Sequence, residues 1–245
     1  MPTYRLDLGY DGSGFHGYAA QAGLRTVQSV LEEALFRITG PVRTVVAGRT
    51  DAGVHARSQV VSFACEKELD EDRTARSLNK MVRDEIVVRR CRKVPDDFDA
   101  RFSALSRTYR YRVANEPVLD PLIRHMVWHV RYKLDLGRMN SAARHFMGLH
   151  DFASFCRKAD GRSTERNVMR LAWERDISDG HLVFEITASS FCRHMVRSLV
   201  AVCVDTGRGK LEPDAVPDII AVQDRNASCG AAPPQGLTLW DVAYG

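Results

Sequence analysis

Lysine is scarce in this sequence. Only Lys67, Lys80, Lys93, Lys133, Lys158 and Lys210 occur among 35 lysine and arginine residues, so almost all positive charge is guanidinium. Arginine's planar fork suits phosphate oxygens and stacks on bases. A G+C-rich genome would favour arginine codons without any functional reason, and composition weighs the two explanations equally. No apolar run is long enough to span a bilayer. Met1-Pro2-Thr3-Tyr4 leads straight into a strand-like pattern with no charged-then-apolar leader, so a cytoplasmic address and no membrane partner are expected. The six cysteines, Cys65, Cys91, Cys156, Cys192, Cys203 and Cys229, form no C-x-x-C pair and have no histidine at zinc spacing. Reduced, mostly buried thiols are expected, rather than a disulfide framework or a zinc site. Walker A, H-E-x-x-H and G-x-S-x-G are all missing, and His16, His55, His129, His181 and His194 fall into no nucleophile–base pattern. The chain therefore lacks the standard equipment for ATP use, metal hydrolysis or acyl transfer, and neither a metal nor a cofactor is expected.

What is present is an ordinary globular composition. The 245 residues are 44% hydrophobic, enough for one large domain or two small ones with a real core. The net charge of +4 is mildly basic, short of the level that would itself announce nucleic acid. Thr3 to Tyr10 alternates as a strand, with Tyr4, Leu6, Leu8 and Tyr10 on one face. Thr26 caps a helix whose stripe of Val27, Val30, Leu31, Ala34, Leu35 and Ile38 faces a core, and Gly40-Pro41 ends it. A second helix is expected over 72–82 and a strand over 86–94. That order of strand, helix, strand, strand, helix, strand is the order of a ferredoxin-like half.

Gly12-Ser13-Gly14-Phe15-His16-Gly17 is formally G-x-G-x-x-G after a strand, the opening of a dinucleotide-binding oxidoreductase. The context argues against that reading. The fingerprint must open a helix whose N-terminus faces the pyrophosphate, whereas here the helix begins near Thr26.

Later segments continue the alternation. Arg107 to Val113 reads as a strand with Tyr109, Tyr111 and Val113 on one side and Arg110 and Arg112 on the other. A strand is expected over 126–132, a helix over 135–147 and a turn over 150–155. Arg157, Lys158, Arg162, Arg166 and Arg170 suggest a flexible basic loop over 156–170, either solvated or able to contact a phosphate backbone. A hairpin is expected around Asp179-Gly180. Beyond it come a helix from about Phe191 to Thr206 with Arg193 and Arg197 on one face, a helix over 213–223, and a closing strand over 237–244.

The sequence is organised around Ala47-Gly48-Arg49-Thr50-Asp51-Ala52-Gly53-Val54-His55-Ala56, set between the strand-like runs 42–47 and 57–64. Arg49 and Asp51 lie two residues apart, bracketed by glycines that permit a tight or left-handed backbone. An arginine beside a partly desolvated carboxylate keeps it ionised, as a nucleophile or general base requires. A hairpin loop with a surface ion pair fits the same ten residues.

This decapeptide resembles the signature block of the TruA-type tRNA pseudouridine synthases, in which the aspartate is catalytic. Four further blocks in the family's order add to the resemblance: Tyr10 to Tyr18, the Tyr109-Arg110-Tyr111 strand, Met195-Val196-Arg197, and Gly236-Leu237-Thr238-Leu239. The turn His150-Asp151-Phe152-Ala153-Ser154-Phe155 is also similar to a family segment. The resemblance departs at Tyr18 and Ala19, where the family has Trp-Gln, and at Ser198, usually Asn. It implies two ferredoxin-like α/β (α+β) halves, 1–104 and 105–245, forming one continuous, mostly antiparallel sheet with flanking helices and a central basic cleft. It also implies a homodimer, with each tRNA touching both subunits. The implied reaction turns uridine into pseudouridine in the anticodon stem-loop of tRNA, at nucleotides 38 to 40, after the base is flipped out. Asp51 would be the catalytic residue, attacking ribose or base or taking a ribose proton. Arg197 would pair with it, and Arg49 would fill the space left by the base or hold phosphate. Tyr109 would stack on the uracil and offer its hydroxyl to the C5 proton, and Leu237 would pack against the base. The three departures leave open a tRNA-binding protein on the same scaffold with altered chemistry.

Overall fold

Alternation of apolar and charged side chains makes β1 (Thr3–Tyr10) a strand with one face in the core: Tyr4, Leu6, Leu8 and Tyr10 are buried. The structure, a computed structural model, describes residues 1–157, 161 and 163–245. Its fold is mixed α/β, with ten strands paired mostly antiparallel and five α-helices among the described residues. The chain divides into two compact units, one of Met1–Arg107 with Thr238–Gly245, the other of Thr108–Leu237.

In the first unit β1 is followed by α1 (Val27–Thr39), β2 (Val45–Val46), β3 (His55–Ala64), α2 (Glu71–Val82) and β4 (Ile86–Val94). Thr26 caps α1: its hydroxyl accepts the Ser29 N–H, and Ser29 answers from its side chain. Of the predicted stripe, Val27, Leu31, Ala34 and Leu35 are buried in the core, while Val30 and Ile38 at its margins are half-buried. Gly40 ends the helix at φ 82°. Asp70 caps α2 in the same way, accepting the Arg73 N–H. The strand order β4-β1-β3, with β2 paired to β3, is the ferredoxin-like arrangement the element order suggests. The run over 42–47 yields only the two residues of β2, antiparallel to β3 at Val45↔Ser62 and Val46↔Val61. A strand from the far end of the sequence, Thr238 onward, runs parallel to β3 at Thr238↔His55 and Leu239↔Ala56.

The second unit contains most of β5 (Ala104–Ala114), then β6 (Trp128–His129), α3 (Leu136–Arg144), β7 (Gly148–Asp151), β8 (Glu165–Arg175), β9 (Leu182–Ala188), α4 (Met195–Gly207) and α5 (Val216–Val222). The closing strand β10 (Leu237–Tyr244) starts here and passes into the first unit. Strand order is β5-β9-β8-β7. Cross-strand pairs Thr108–Thr187 (2.8 Å) and Arg110–Glu185 (2.6 Å) fix β5 against β9.

The structure departs from the sequence pattern in several elements. The strand over 126–132 shrinks to β6, and α3 stops at Arg144, with His145 as its C-cap. Residues 148–151, expected partly as a turn, form β7. It pairs with residues 165–168 of the stretch expected to be a loop. In that part of β8 only Val168 is buried, so the stretch carries no periodic apolar signal. Lys158 and Arg162 of the expected basic loop lie outside the described residues. The hairpin after β8 is found, with Gly180 at φ 74°. The thiols are not all reduced: Cys156 and Cys192 are joined in a disulfide, while Cys65, Cys91 and Cys203 are buried and Cys229 is exposed. No described helix is long and apolar enough to cross a membrane.

Candidate active site

In the first unit the Asp51 loop, residues 47–54, links β2 to β3 and is held by hydrogen bonds at Ala47, Gly48, Thr50, Asp51 and Val54. The Ala47 N–H donates to the Val60 carbonyl at 2.9 Å. The Ala47 carbonyl accepts from Arg107, whose Nε and Nη2 lie 3.2 and 3.0 Å away. That arginine is buried, and its guanidinium also donates to the carbonyls of Ala104 and Arg101. The Gly48 carbonyl accepts from Gln59 Nε2 at 2.8 Å. The Thr50 carbonyl accepts the Tyr18 N–H at 3.0 Å, and Asp51 closes a turn by accepting the Val54 N–H at 3.1 Å. Of the two bracketing glycines, only Gly53 has a left-handed backbone, at φ 76°. Asp51 itself is half-buried, and Arg49 stands exposed two residues before it.

The glycines of the preceding loop now have a physical reason. A Cβ on Gly12 would sit 2.0 Å from the Val54 carbonyl oxygen. A Cβ on Gly17, whose φ is 92°, would sit 2.9 Å from the Thr50 oxygen and 3.2 Å from the Ala52 nitrogen. These glycines let residues 11–18 press directly on the loop that carries Asp51. The Gly12 N–H also points at the buried His55 ring, 3.1 Å from Nδ1, and an Asp11 carboxylate oxygen lies 3.1 Å from the same nitrogen.

In the second unit, Tyr109 is buried on β5 and meets Phe191 edge-on, ring centroids 5.1 Å apart. Six residues after Phe191, Arg197 lies in the first turn of α4. Its Nε donates to the Ala232 carbonyl at 2.7 Å, and the Ala232 N–H donates back to the Arg197 carbonyl at 3.0 Å. This reciprocal pair ties α4 to the segment that leads into Leu237. That segment is fixed again where the Tyr111 hydroxyl donates to the Pro233 carbonyl at 2.8 Å. It is fixed once more at Gly236, where a Cβ would fall 2.6 Å from the Tyr111 ring. Leu237, buried, opens β10. In the second unit Arg197 and Tyr111 thus both brace the segment that leads into Leu237, and Tyr109 lies two residues before Tyr111 on β5; Arg49 and Asp51 share one loop of the first unit.

Arg193 does not share a helix face with Arg197, contrary to the spacing argument. The helix starts at Met195 because His194 takes a left-handed backbone, φ 69°. That conformation costs energy for a residue with a Cβ, and such outliers gather where a structure holds a functional group in place. Arg157 is tied to the same segment by donating its N–H to the Arg193 carbonyl at 2.9 Å, alongside the Cys156–Cys192 bridge. Sequence reasoning missed Arg107, whose position at the start of a tyrosine–arginine strand made it look like one more solvated arginine.

Two of the three departures from the family pattern are interior. Tyr18 and Ser198 are buried, and Ser198 Oγ has no hydrogen-bond partner among the described residues. A buried hydroxyl without a partner is destabilising. Ser198→Ala is therefore expected to raise unfolding stability by about 1 kcal/mol in urea titrations.

A family model described as tRNA pseudouridine synthase matches residues 9–103 and 142–245. The chain is 40% identical to tRNA pseudouridine synthase A of Bifidobacterium animalis subsp. lactis, covering 100% of this chain and 94% of that protein. It is 42% identical to the protein of that name from Leifsonia xyli subsp. xyli, covering 98% and 91%. With the one from Bacillus subtilis the identity is 39%, covering 98% of each.

Proposed function

Because this chain belongs to the tRNA pseudouridine synthase family, and so is an isomerase that pseudouridylates tRNA, we propose that it modifies uridines of the anticodon stem-loop, nucleotides 38 to 40, with Asp51 as its catalytic residue. The observation that carries the reading is the Asp51 loop: a half-buried aspartate on a backbone pinned from both sides. Isomerisation needs a charged group held still while a glycosidic bond breaks and the base turns, and a pinned loop supplies it without reorganisation. The first half of the sequence brings the acid. The second brings Tyr109, whose flat ring suits stacking on uracil, Arg197, whose guanidinium suits a carboxylate or phosphate, and Leu237, whose apolar side chain suits the face of a base. Arg49, exposed beside Asp51, holds phosphate or occupies the gap left by the everted base.

The experiment is to map pseudouridine in tRNA from cells lacking this gene, and then in the same tRNA after incubation with purified protein. Loss and restoration at 38 to 40 supports the reading, and modification elsewhere overturns its positional part. Tight tRNA binding with no isomerisation would instead mark the scaffold as a binding protein with altered chemistry. The active species in this reading is a homodimer in the cytoplasm; sedimentation at the concentration used for assay is expected to give twice the chain mass of 27.5 kDa.

A further inference from the structure

The mechanism proposed above uses the carboxylate of Asp51 but leaves unused a buried polar cluster that grips the residue before it, Thr50. Tyr10 ends β1, Thr50 immediately precedes Asp51, and Gln59 lies in β3. All three are interior, with 6%, 8% and 0% of their surface exposed. The Tyr10 hydroxyl and the Thr50 hydroxyl are 2.8 Å apart. Gln59 Nε2 donates to the Tyr10 hydroxyl at 3.3 Å and to the Gly48 carbonyl at 2.8 Å. The Gln59 carboxamide oxygen accepts the Val60 N–H at 3.3 Å, which orients the amide.

The placement is informative. An apolar core would serve stability as well, because buried polar groups gain little net energy even when fully bonded. What this cluster adds is direction: hydrogen bonds fix angles as well as distances. Thr50 is gripped at both its hydroxyl and its carbonyl, by Tyr10 and by the Tyr18 N–H, so the peptide entering Asp51 has one orientation. The Asp51 carbonyl is fixed on the other side by Val54. Burial, partly offset by the hydrogen bonds from Thr50 and Gln59, pushes the Tyr10 phenol up to about 12, so its proton stays in place across the working pH range.

We infer that Tyr10 is a positioning residue for the reaction: its hydroxyl, held by Gln59 and bonded to Thr50, sets the direction in which Asp51 presents its carboxylate. The inference rests on Asp51 being the catalytic residue.

The test compares single-turnover tritium release from tRNA carrying 5-tritiated uracil with tRNA affinity and thermal unfolding. Tyr10→Phe removes one oxygen and keeps the ring. It is expected to lower the rate constant at saturating enzyme by about 10- to 100-fold, the scale of a misdirected catalytic group. Its Kd for tRNA is expected to stay within about twofold of wild type, because no substrate contact is removed. Thr50→Val breaks the same bond from the other end and is expected to show the same loss, and Thr50→Ser, which restores the hydroxyl, to recover most of it. The double variant Tyr10→Phe/Thr50→Val should be no slower than either single, since both remove one interaction. Should Tyr10→Phe not fold, the Thr50→Val and Thr50→Ser pair reads the same bond. A wild-type rate constant in folded Tyr10→Phe or Thr50→Val, while Asp51→Asn is inactive, overturns the inference alone. An active Asp51→Asn overturns the reading beneath it. A loss confined to tRNA affinity also overturns the inference, because positioning acts on the chemical step.

Discussion

Asp51→Asn is expected to lower tritium release from tRNA by about 10⁴-fold or more, as removal of a central catalytic group does. Asparagine matches aspartate in size and can still accept a hydrogen bond. The loop is fixed through Ala47, Gly48, Thr50 and Val54 by backbone and side-chain bonds that do not involve the Asp51 carboxylate. The substitution therefore changes charge with little change of shape. tRNA binding is expected to persist, and a filter-binding measurement beside the activity assay separates the two. Asp51→Glu is the complementary variant. It keeps the charge but moves it by one methylene, with an expected loss of about 10²-fold from misplacement. Near-wild-type release by Asp51→Asn would leave the loop as a structural hairpin and remove the basis of the proposed mechanism.

Gly12→Ala is expected to be the most damaging small substitution in the first unit. Its new methyl would have to occupy space 2.0 Å from the Val54 carbonyl oxygen and 2.5 Å from its carbon, which are backbone atoms that cannot rotate away. Either the segment 11–18 or the Asp51 loop must move. Stability should fall by roughly 3 kcal/mol, at the upper end for overpacking, read as a lowered midpoint in chemical denaturation. Gly14→Ala is the control within the same motif. Its Cβ would approach only Glu85 Oε1 at 2.6 Å and Arg25 Nη1 at 3.3 Å, the ends of two exposed side chains that can shift. Little change is expected there. Equal effects at the two positions would show that the close approach of residues 11–18 to the loop is unimportant.

These glycines also show how far the sequence could be read. The spacing of Gly12, Gly14 and Gly17 invited a dinucleotide fingerprint, and the late start of α1 at Val27 argued against it. Nothing local said what Gly12 and Gly17 do instead, because the atoms that require them belong to residues 50–54, more than thirty positions away. The same limit governs the other gaps. β1, with its clear alternation, and α1, with its cap and stripe, were legible almost to the residue, and the ranges read for α2 and β10 also hold to within a residue. β7 and the first half of β8 were not, since they are defined by pairing with each other and bury only Val168 between Glu165 and Arg170. The start of α4 was misplaced by four residues because a left-handed His194 leaves no mark in composition. The Cys156–Cys192 bridge joins cysteines 36 apart with no motif to announce it. At the candidate site, charge and glycine spacing marked the Asp51 loop, but the Tyr10–Thr50–Gln59 cluster and Arg107 emerged only once strands distant in sequence were neighbours.

β3 is flanked by strands from widely separated parts of the sequence. Its edge is shared: β2 takes Val61 and Ser62, and β10 takes His55 and Ala56, the residues just after the Asp51 loop. Synthesis on the ribosome delivers the acid loop early and its lateral support nearly two hundred residues later. A nascent chain released before Thr238 would hold an unfinished sheet margin beside the Asp51 loop, so the first stretch of sequence to leave the ribosome completes its sheet only when the last one arrives.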